Sequence, residues 1–365
     1  MHIALIIDQE RLAHEQSMLD RISVGLIDRG AQLTTIVPDT QPVDDAQQSA
    51  QLVAAGRIEV SMNVPPWMRR TRAHRLAKAV ESAVPDVLHA VGDRAWMVGL
   101  DLARVVDRPV TIDVWSADQV QRVPHRRSAS QVAGYVASTE PIAEGLRKRI
   151  APELVSLVPI GVTLPPHPRE VLANPQDMIA LAIIGSGRDI AAYRAMLGGL
   201  SRLTQEFPQI QGCLELRGPH EHEIWQCAQR LNLQGHLSAI TDAALHRRLL
   251  TGCDVLLIPE RFGQVRSIMF EAMAVGMPIV ASDDPFLDAL VPDETAIIVG
   301  NADPQEWAQQ LRRLLIQPEL ARSVGASAQA LIAARHQSTD QVGKLMAAFE
   351  QVLSGGAHSF AGTGT

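Results

Sequence analysis

Three features of this 365-residue chain have residue types and spacing that could do chemistry. The first is Glu271, inside the stretch from Cys253 to Val299, which reads as strand, loop, helix, strand, loop, strand. A carboxylate on the first turns of such a helix faces the crevice at the carboxyl ends of the strands, where parallel sheets bind ligands. There it could accept both hydroxyls of a ribose, or it could only complement the helix N-terminus. Spacing alone does not separate the two. The second is Arg266, in Gly263-Gln-Val-Arg266-Ser267, with Ser267 as the expected helix cap. A guanidinium fork beside helix-terminal N–H groups suits a phosphate, although an arginine is more often simply exposed. The third is Gly185-Ser-Gly187-Arg188, between an expected strand and helix, whose N–H groups and Arg188 suit a phosphate too. A dinucleotide fingerprint would place glycine at position 190, which is Ile190, and an ordinary βα turn remains an alternative. His220-Glu-His222-Glu223 resembles a metal cluster, but histidines two apart point to different sides of a helix, so no metal site is expected.

The elements that must position these residues alternate along the whole chain. Ile3–Asp8, Leu33–Val37, Val87–Val91 and Val110–Trp115 read as strands, with helices over Arg11–Arg29, Arg69–Ala83 and Ala95–Val106. Val43–Val53 has at most a short helical pattern. Prolines 159, 165, 166, 168 and 175 then mark an extended linker, and a second alternating series begins at Met178. Strands spaced by helices predict parallel, doubly wound sheets. The expected division is 1–160 for a first domain, 161–177 for the linker and 178–336 for a second domain. A final helix over 337–353 and a disordered tail over 354–365 complete it. In the final helix, Ser338 and Gln341 read as a capping box, and Val342, Leu345, Phe349 and Val352 form an apolar stripe.

Composition excludes several classes. A net charge of −7 with 20% charged residues argues against a nucleic-acid partner. No long uncharged apolar window predicts a transmembrane helix, and Met1–Asp8 reads as a core strand rather than a signal peptide. Three cysteines without metal spacing suggest reduced thiols and a cytoplasmic location.

The segment Glu271 to Ser282 (EAMAVGMPIVAS) resembles the donor segment of glycosyltransferase family 4, a retaining group with the GT-B fold. Asp86–Gly92 (DVLHAVG), Val158–Val162 (VPIGV), Arg217-Gly-Pro219 and Asp254–Pro259 are similar to further segments of that family. The resemblance implies an α/β, GT-B architecture: two doubly wound, Rossmann-like domains facing a cleft. In that fold the last helix crosses back to the first domain, and the apolar stripe suits either this or packing on its own domain. The resemblance also implies a nucleotide-sugar donor and transfer to an unspecified acceptor, whether glycan, lipid-linked or small molecule. Configuration would be retained, with no metal and no cofactor beyond the donor, and peripheral membrane contact is left open. Glu271 would hold the ribose. His89 would act from the acceptor side. Beyond the resemblance, the loop positions of Gly185, Gly187, Arg188, Gly263, Arg266 and Ser267 would let them complete the donor site, with Arg266 as the cation that acts in catalysis.

The departures from the family are specific. Its first glutamate falls on Gly263, with Glu260 three residues earlier. Its diphosphate-holding basic pair falls on Ser186 and Ala191, and its sugar-reaching histidine on Trp115. A GT-B chain without transfer activity, serving as a binding or partner subunit, is therefore the alternative.

Overall fold

The computed structural model describes residues 1–39, 56–124, 130–165, 171–172, 178–241, 246–261 and 263–356. The chain forms two compact units. The first comprises Met1–Gly161 and the chain from Ser338 onward, and the second comprises Val162–Gln337.

The first unit is built on seven strands: β1 (His2–Ile7), β2 (Gln32–Pro38), β3 (Gly56–Val60), β4 (Val87–Val91), β5 (Val110–Val114), β6 (Val132–Ala137) and β7 (Val155–Leu157). Their order is β3-β2-β1-β4-β5-β6-β7, and every pairing is parallel. The inner strands are buried along nearly their whole length, which explains why they read as continuous apolar runs. Helices α1 (Gln9–Asp28), α2 (Arg69–Ala79), α3 (Asp93–Val106), α4 (Ala117–Arg122) and α5 (Glu140–Arg147) connect them. Val43–Val53 lies outside the described residues.

The second unit has six strands: β8 (Ile179–Ile183), β9 (Ile210–Glu215), β10 (Leu237–Ile240), β11 (Val255–Ile258), β12 (Ile279–Ser282) and β13 (Ile297–Val299). The order is β10-β9-β8-β11-β12-β13, again all parallel. Its helices are α6 (Ile190–Glu206), α7 (Glu221–Arg230), α8 (His246–Gly252), α9 (Ser267–Ala274), α10 (Pro304–Ile316) and α11 (Pro318–Arg335). Trp307, Leu311, Leu314 and Leu315 of α10 enter a core shared with Met196, Leu200 and Leu203 of α6. The sequence reading does not anticipate α11. Its buried positions share one face but are mostly small (Ala321, Val324, Gly325, Ala328, Ile332), so no strongly apolar stripe announces it.

In both sheets the strand order reverses beside the first strand, between β1 and β4 and between β8 and β11. These are the topological switch points, where helices diverge to opposite faces and leave a crevice at the carboxyl ends of the strands.

Helix α12 (Ser338–Gly356) belongs to the first unit, packing Val342, Leu345, Phe349 and Val352 against α1 and β6. It runs past Leu353, and the Ser354 hydroxyl donates to the Gln351 carbonyl at 3.0 Å. Gln341 does not close a capping box, because its Oε1 accepts the Gly161 N–H at 2.9 Å. Residues 357–365 of the expected tail lie outside the described residues.

Candidate functional site

The crevice between β8 and β11 collects most of the residues singled out by the sequence. Two loops build it. One runs from β8 into α6 and carries Gly185, Ser186, Gly187 and Arg188. The other runs from β11 into α9 and carries Glu260, Gly263 and Arg266. Both units of chemistry expected here are present, but each is already engaged by a carboxylate of the protein.

The glycine turn does present its N–H groups as a cradle. Its occupant is Glu260, only 6% exposed. That carboxylate accepts the N–H of Arg188 at 2.7 Å and of Asp189 at 2.8 Å, and also that of Ser186. Three backbone donors converge on one anion, the arrangement expected for a phosphate at a helix N-terminus. Gly185 and Gly187 serve packing. A Cβ at 185 would lie 2.4 Å from the Tyr193 hydroxyl and 2.7 Å from Glu260 Oε2. Gly187 has a φ of +66°, and a Cβ there would meet the Arg217 carbonyl at 2.0 Å. Neither position has room for a side chain, and Gly185 lines the recess described below. Arg188 is exposed.

Arg266 is buried rather than exposed. Its Nη1 donates to Glu215 Oε2 at 2.7 Å and its Nη2 to Oε1 at 3.3 Å, and Glu215 Oε2 also accepts the Gly185 N–H at 3.3 Å. The side chains of this pair are 7% and 1% exposed. A guanidinium whose charge is met by a buried carboxylate has little left for a diphosphate, so the assignment of Arg266 to phosphate and catalysis does not describe this state. Between the two glutamates lies Tyr193. Burial raises its phenol well above the ordinary range, and the charges of Glu260 and Glu215 push the same way. It is a neutral hydroxyl wedged between anions.

Other expected positions are shifted. Ser267 is the first residue of α9 rather than its cap. Arg266 takes the cap position with extended backbone and no side-chain hydrogen bond to the helix. The Gly263 N–H is donated to Asp284 Oδ2 at 2.5 Å, and burial raises the Asp284 carboxyl above its ordinary value. A small recess has Gly185, Glu260, Gln264, Arg266 and Asp284 among its walls. Glu271 is half-buried on the second turn of α9 and does not line the recess.

His89 lines a recess of the first unit together with Arg11, Asp113 and Gln341. It is the third residue of β4, not its carboxyl end, and it is 4% exposed. Its Nδ1 pairs with Thr111 Oγ1 at 2.9 Å, and its ring meets Phe349 of α12 edge-on at 5.2 Å. Burial lowers its pKa to about 3, so the ring is neutral. It is a core histidine under α12, because β4 alternates its side chains between two covered faces.

The sequence reading missed the residues at the switch point of the first unit. Asp8, directly after β1, caps α1 through the Arg11 N–H at 2.9 Å and accepts the Arg94 N–H of α3 at 3.3 Å. Arg11 is 2% exposed, 3.5 Å from Glu15 and 3.8 Å from Asp113, and lies 4.2 Å over the Trp115 ring. The spacing Asp8-x-x-Arg11 after an apolar strand is the one signal that could have marked this group. In the second unit, Glu215 ends β9 as a buried carboxylate directly after Cys213 and Leu214, a polar intrusion that could have drawn notice.

His220 and Glu223 lie 3.6 Å apart at the exposed start of α7, and no metal-holding cluster occurs among the described residues. Among the described residues no helix is long and apolar enough to cross a membrane.

Comparison with known proteins agrees with this architecture. Residues 191–317 match the family model described as glycosyl transferases group 1. A D-inositol 3-phosphate glycosyltransferase of Segniliparus rotundus is 23% identical over 61% of this chain and 53% of its own. The MMP alpha-(1->4)-mannosyltransferase of Mycolicibacterium hassiacum is 32% identical over 48% of this chain and 43% of its own. The chain thus spans about half the length of the curated relatives it matches. The solved structure of Anabaena HepE with UDP and glucose superposes with a TM-score of 0.75 at 12% identity, covering 95% of this chain and 99% of that one. The fold is GT-B: two Rossmann-like units with parallel sheets of seven and six strands.

Proposed function

We propose that this chain is a nucleotide-sugar-dependent glycosyltransferase whose donor site is the switch-point crevice of the second unit. The observation that carries the reading is the match of residues 191–317 to a glycosyltransferase family model, a span that contains the crevice loop entering α9 and Glu271 itself. The relatives named above are glycosyltransferases, and the Anabaena neighbour holds UDP, which supports a nucleotide donor. Glu271 takes the ribose hydroxyls and Arg188 meets the diphosphate. Transfer proceeds with retention and without a metal, as in the family the sequence resembles. Catalysis is then mostly positioning and stabilisation of leaving-group charge.

A second reading has its own observation. Glu260 fills the amide cradle and Glu215 pairs with Arg266, which suits a GT-B chain that binds without transferring. Thermal-shift and hydrolysis assays over a panel of nucleotide-sugars decide between them. Transfer predicts that at least one donor stabilises the chain and is turned over, and binding without turnover selects the second reading. Glu271→Gln should weaken nucleoside-diphosphate binding by about 1.5–3 kcal/mol, the scale of a hydrogen bond to a charged group. Equal affinities of the two forms in calorimetric titration would leave Glu271 only its helix-end role.

A further inference from the structure

We infer that the segment Pro65–Lys78 of the first unit is a docking surface for an anionic lipid bilayer. Trp67 is 79% exposed, the most exposed of the large apolar side chains among the described residues, and Met68 beside it is 45% exposed. Both sit in the short 3₁₀ turn Pro66–Met68 that leads into α2. No acidic residue occurs between Glu59 and Glu81, in a chain whose net charge is −7. Helix α2 turns Ala73 and Leu76 inward, and its opposite face carries Arg70, His74, Arg75 and Lys78, all exposed. Arg69 and Arg72 are held by Asp101 at 2.6 and 3.0 Å, which ties the helix to α3 and leaves the outer cations for a partner.

This pairing of groups selects the partner's chemistry. A tryptophan and a methionine left in water at the head of a cationic face fit an interface that is apolar below and negatively charged above. That is the headgroup zone of an anionic bilayer. The turn follows the carboxyl end of β3, so the surface lies at the ligand-binding edge of its sheet. The inference does not rest on the donor reading.

The experiment is flotation of the full chain with vesicles of phosphatidylcholine alone and of phosphatidylcholine mixed with phosphatidylglycerol. Co-flotation is expected with the anionic vesicles only, and should decline with salt. Arg70→Glu, Arg75→Glu and Lys78→Glu together should lower binding by about a hundredfold or more, because each cation near such a surface contributes about a fivefold factor. Trp67→Ala should weaken binding while leaving the salt dependence in place. Unchanged melting midpoints show that the variants fold. No co-flotation, equal flotation with neutral vesicles, or indifference to either set of substitutions overturns the inference. So does duplex DNA that binds the same face more tightly than the vesicles.

Discussion

The two switch points solve the same electrostatic problem in opposite directions. In each, the first turn of a helix leaves N–H groups pointing into the crevice, and in each a carboxylate of the protein accepts them. In the first unit the carboxylate stands directly after the first strand, as Asp8, and reaches the helix after the fourth, α3. In the second it stands after the fourth strand, as Glu260, and reaches the loop after the first. The difference decides which crevice can exchange ligands. Asp8 is also the cap of its own helix, α1, so removing it would undo two helix starts at once. Arg11, Glu15 and Asp113 add buried charges behind it. Glu260 caps no part of α9. It belongs to the loop before that helix, so its departure from the cradle would not unwind its own helix. The second unit is where a phosphate could take a carboxylate's place.

The largest test of this contrast is the buried ion pair that stiffens the second crevice. Arg266→Ala would leave Glu215, 1% exposed, without its cation, and removal of one partner of a buried pair typically costs about 3–5 kcal/mol. Urea unfolding should show that loss. Arg266→Met combined with Glu215→Leu should restore much of it, because the second charge is then gone as well. A cost below 1 kcal/mol for the single change, on the scale of surface pairs, would show Arg266 free to serve a ligand.

A smaller effect is expected at the cradle itself. Glu260→Gln keeps an acceptor oxygen but removes the charge that three N–H groups share. Stability should fall by about 1.5–3 kcal/mol, the range for hydrogen bonds to a charged group. Pyrophosphate affinity, by calorimetry, should rise by about tenfold, because an anion no longer has to displace a carboxylate from a helix N-terminus. Lower stability with unchanged affinity would make Glu260 structural only, and the contrast with Asp8 would lapse.

How much of this was legible depended on distance along the chain. The alternation of strands and helices was readable because parallel strands buried on both faces are continuous apolar runs, as in Ile179–Ile183. The Glu271 segment was readable because strand, helix and turn signals lie within one local stretch. The state of the site was not, because it is set by long-range partners. Glu260 meets Arg188 across 72 positions and Arg266 meets Glu215 across 51, and no local pattern reports such a pairing. His89 shows the converse. Its segment resembles a strand end of the family, yet β4 runs two residues further, which puts the ring in the core.

The smallest effect is the most discriminating for the first unit, because two buried groups there titrate against each other. His89 has a pKa lowered to about 3 by burial, so between about 6.5 and 3 the unfolded chain binds a proton that the folded chain refuses. Its contribution is complete above about 6.5 and is lost as pH falls. Asp113 has the opposite sign. Burial raises it to about 6, against an ordinary 3.8, with Arg11 partly offsetting. In that window the folded chain holds a proton that the unfolded chain has released, so stability is gained as pH falls from about 6 to about 4. Each effect is worth on the order of 2–3 kcal/mol over that range, and their sum should leave a slope of only about 1 kcal/mol. Asp113 keeps 14% of its side chain exposed, which places its share at the lower end. The measurement is unfolding free energy at several pH values from 4 to 7, read as slope rather than height. His89→Gln should turn the near-flat profile into one that rises towards acid, and Asp113→Asn should turn it into one that falls. A flat profile in all three forms would mean that the core under α12 admits water freely enough to solvate both groups. The first crevice would then be as open to exchange as the second.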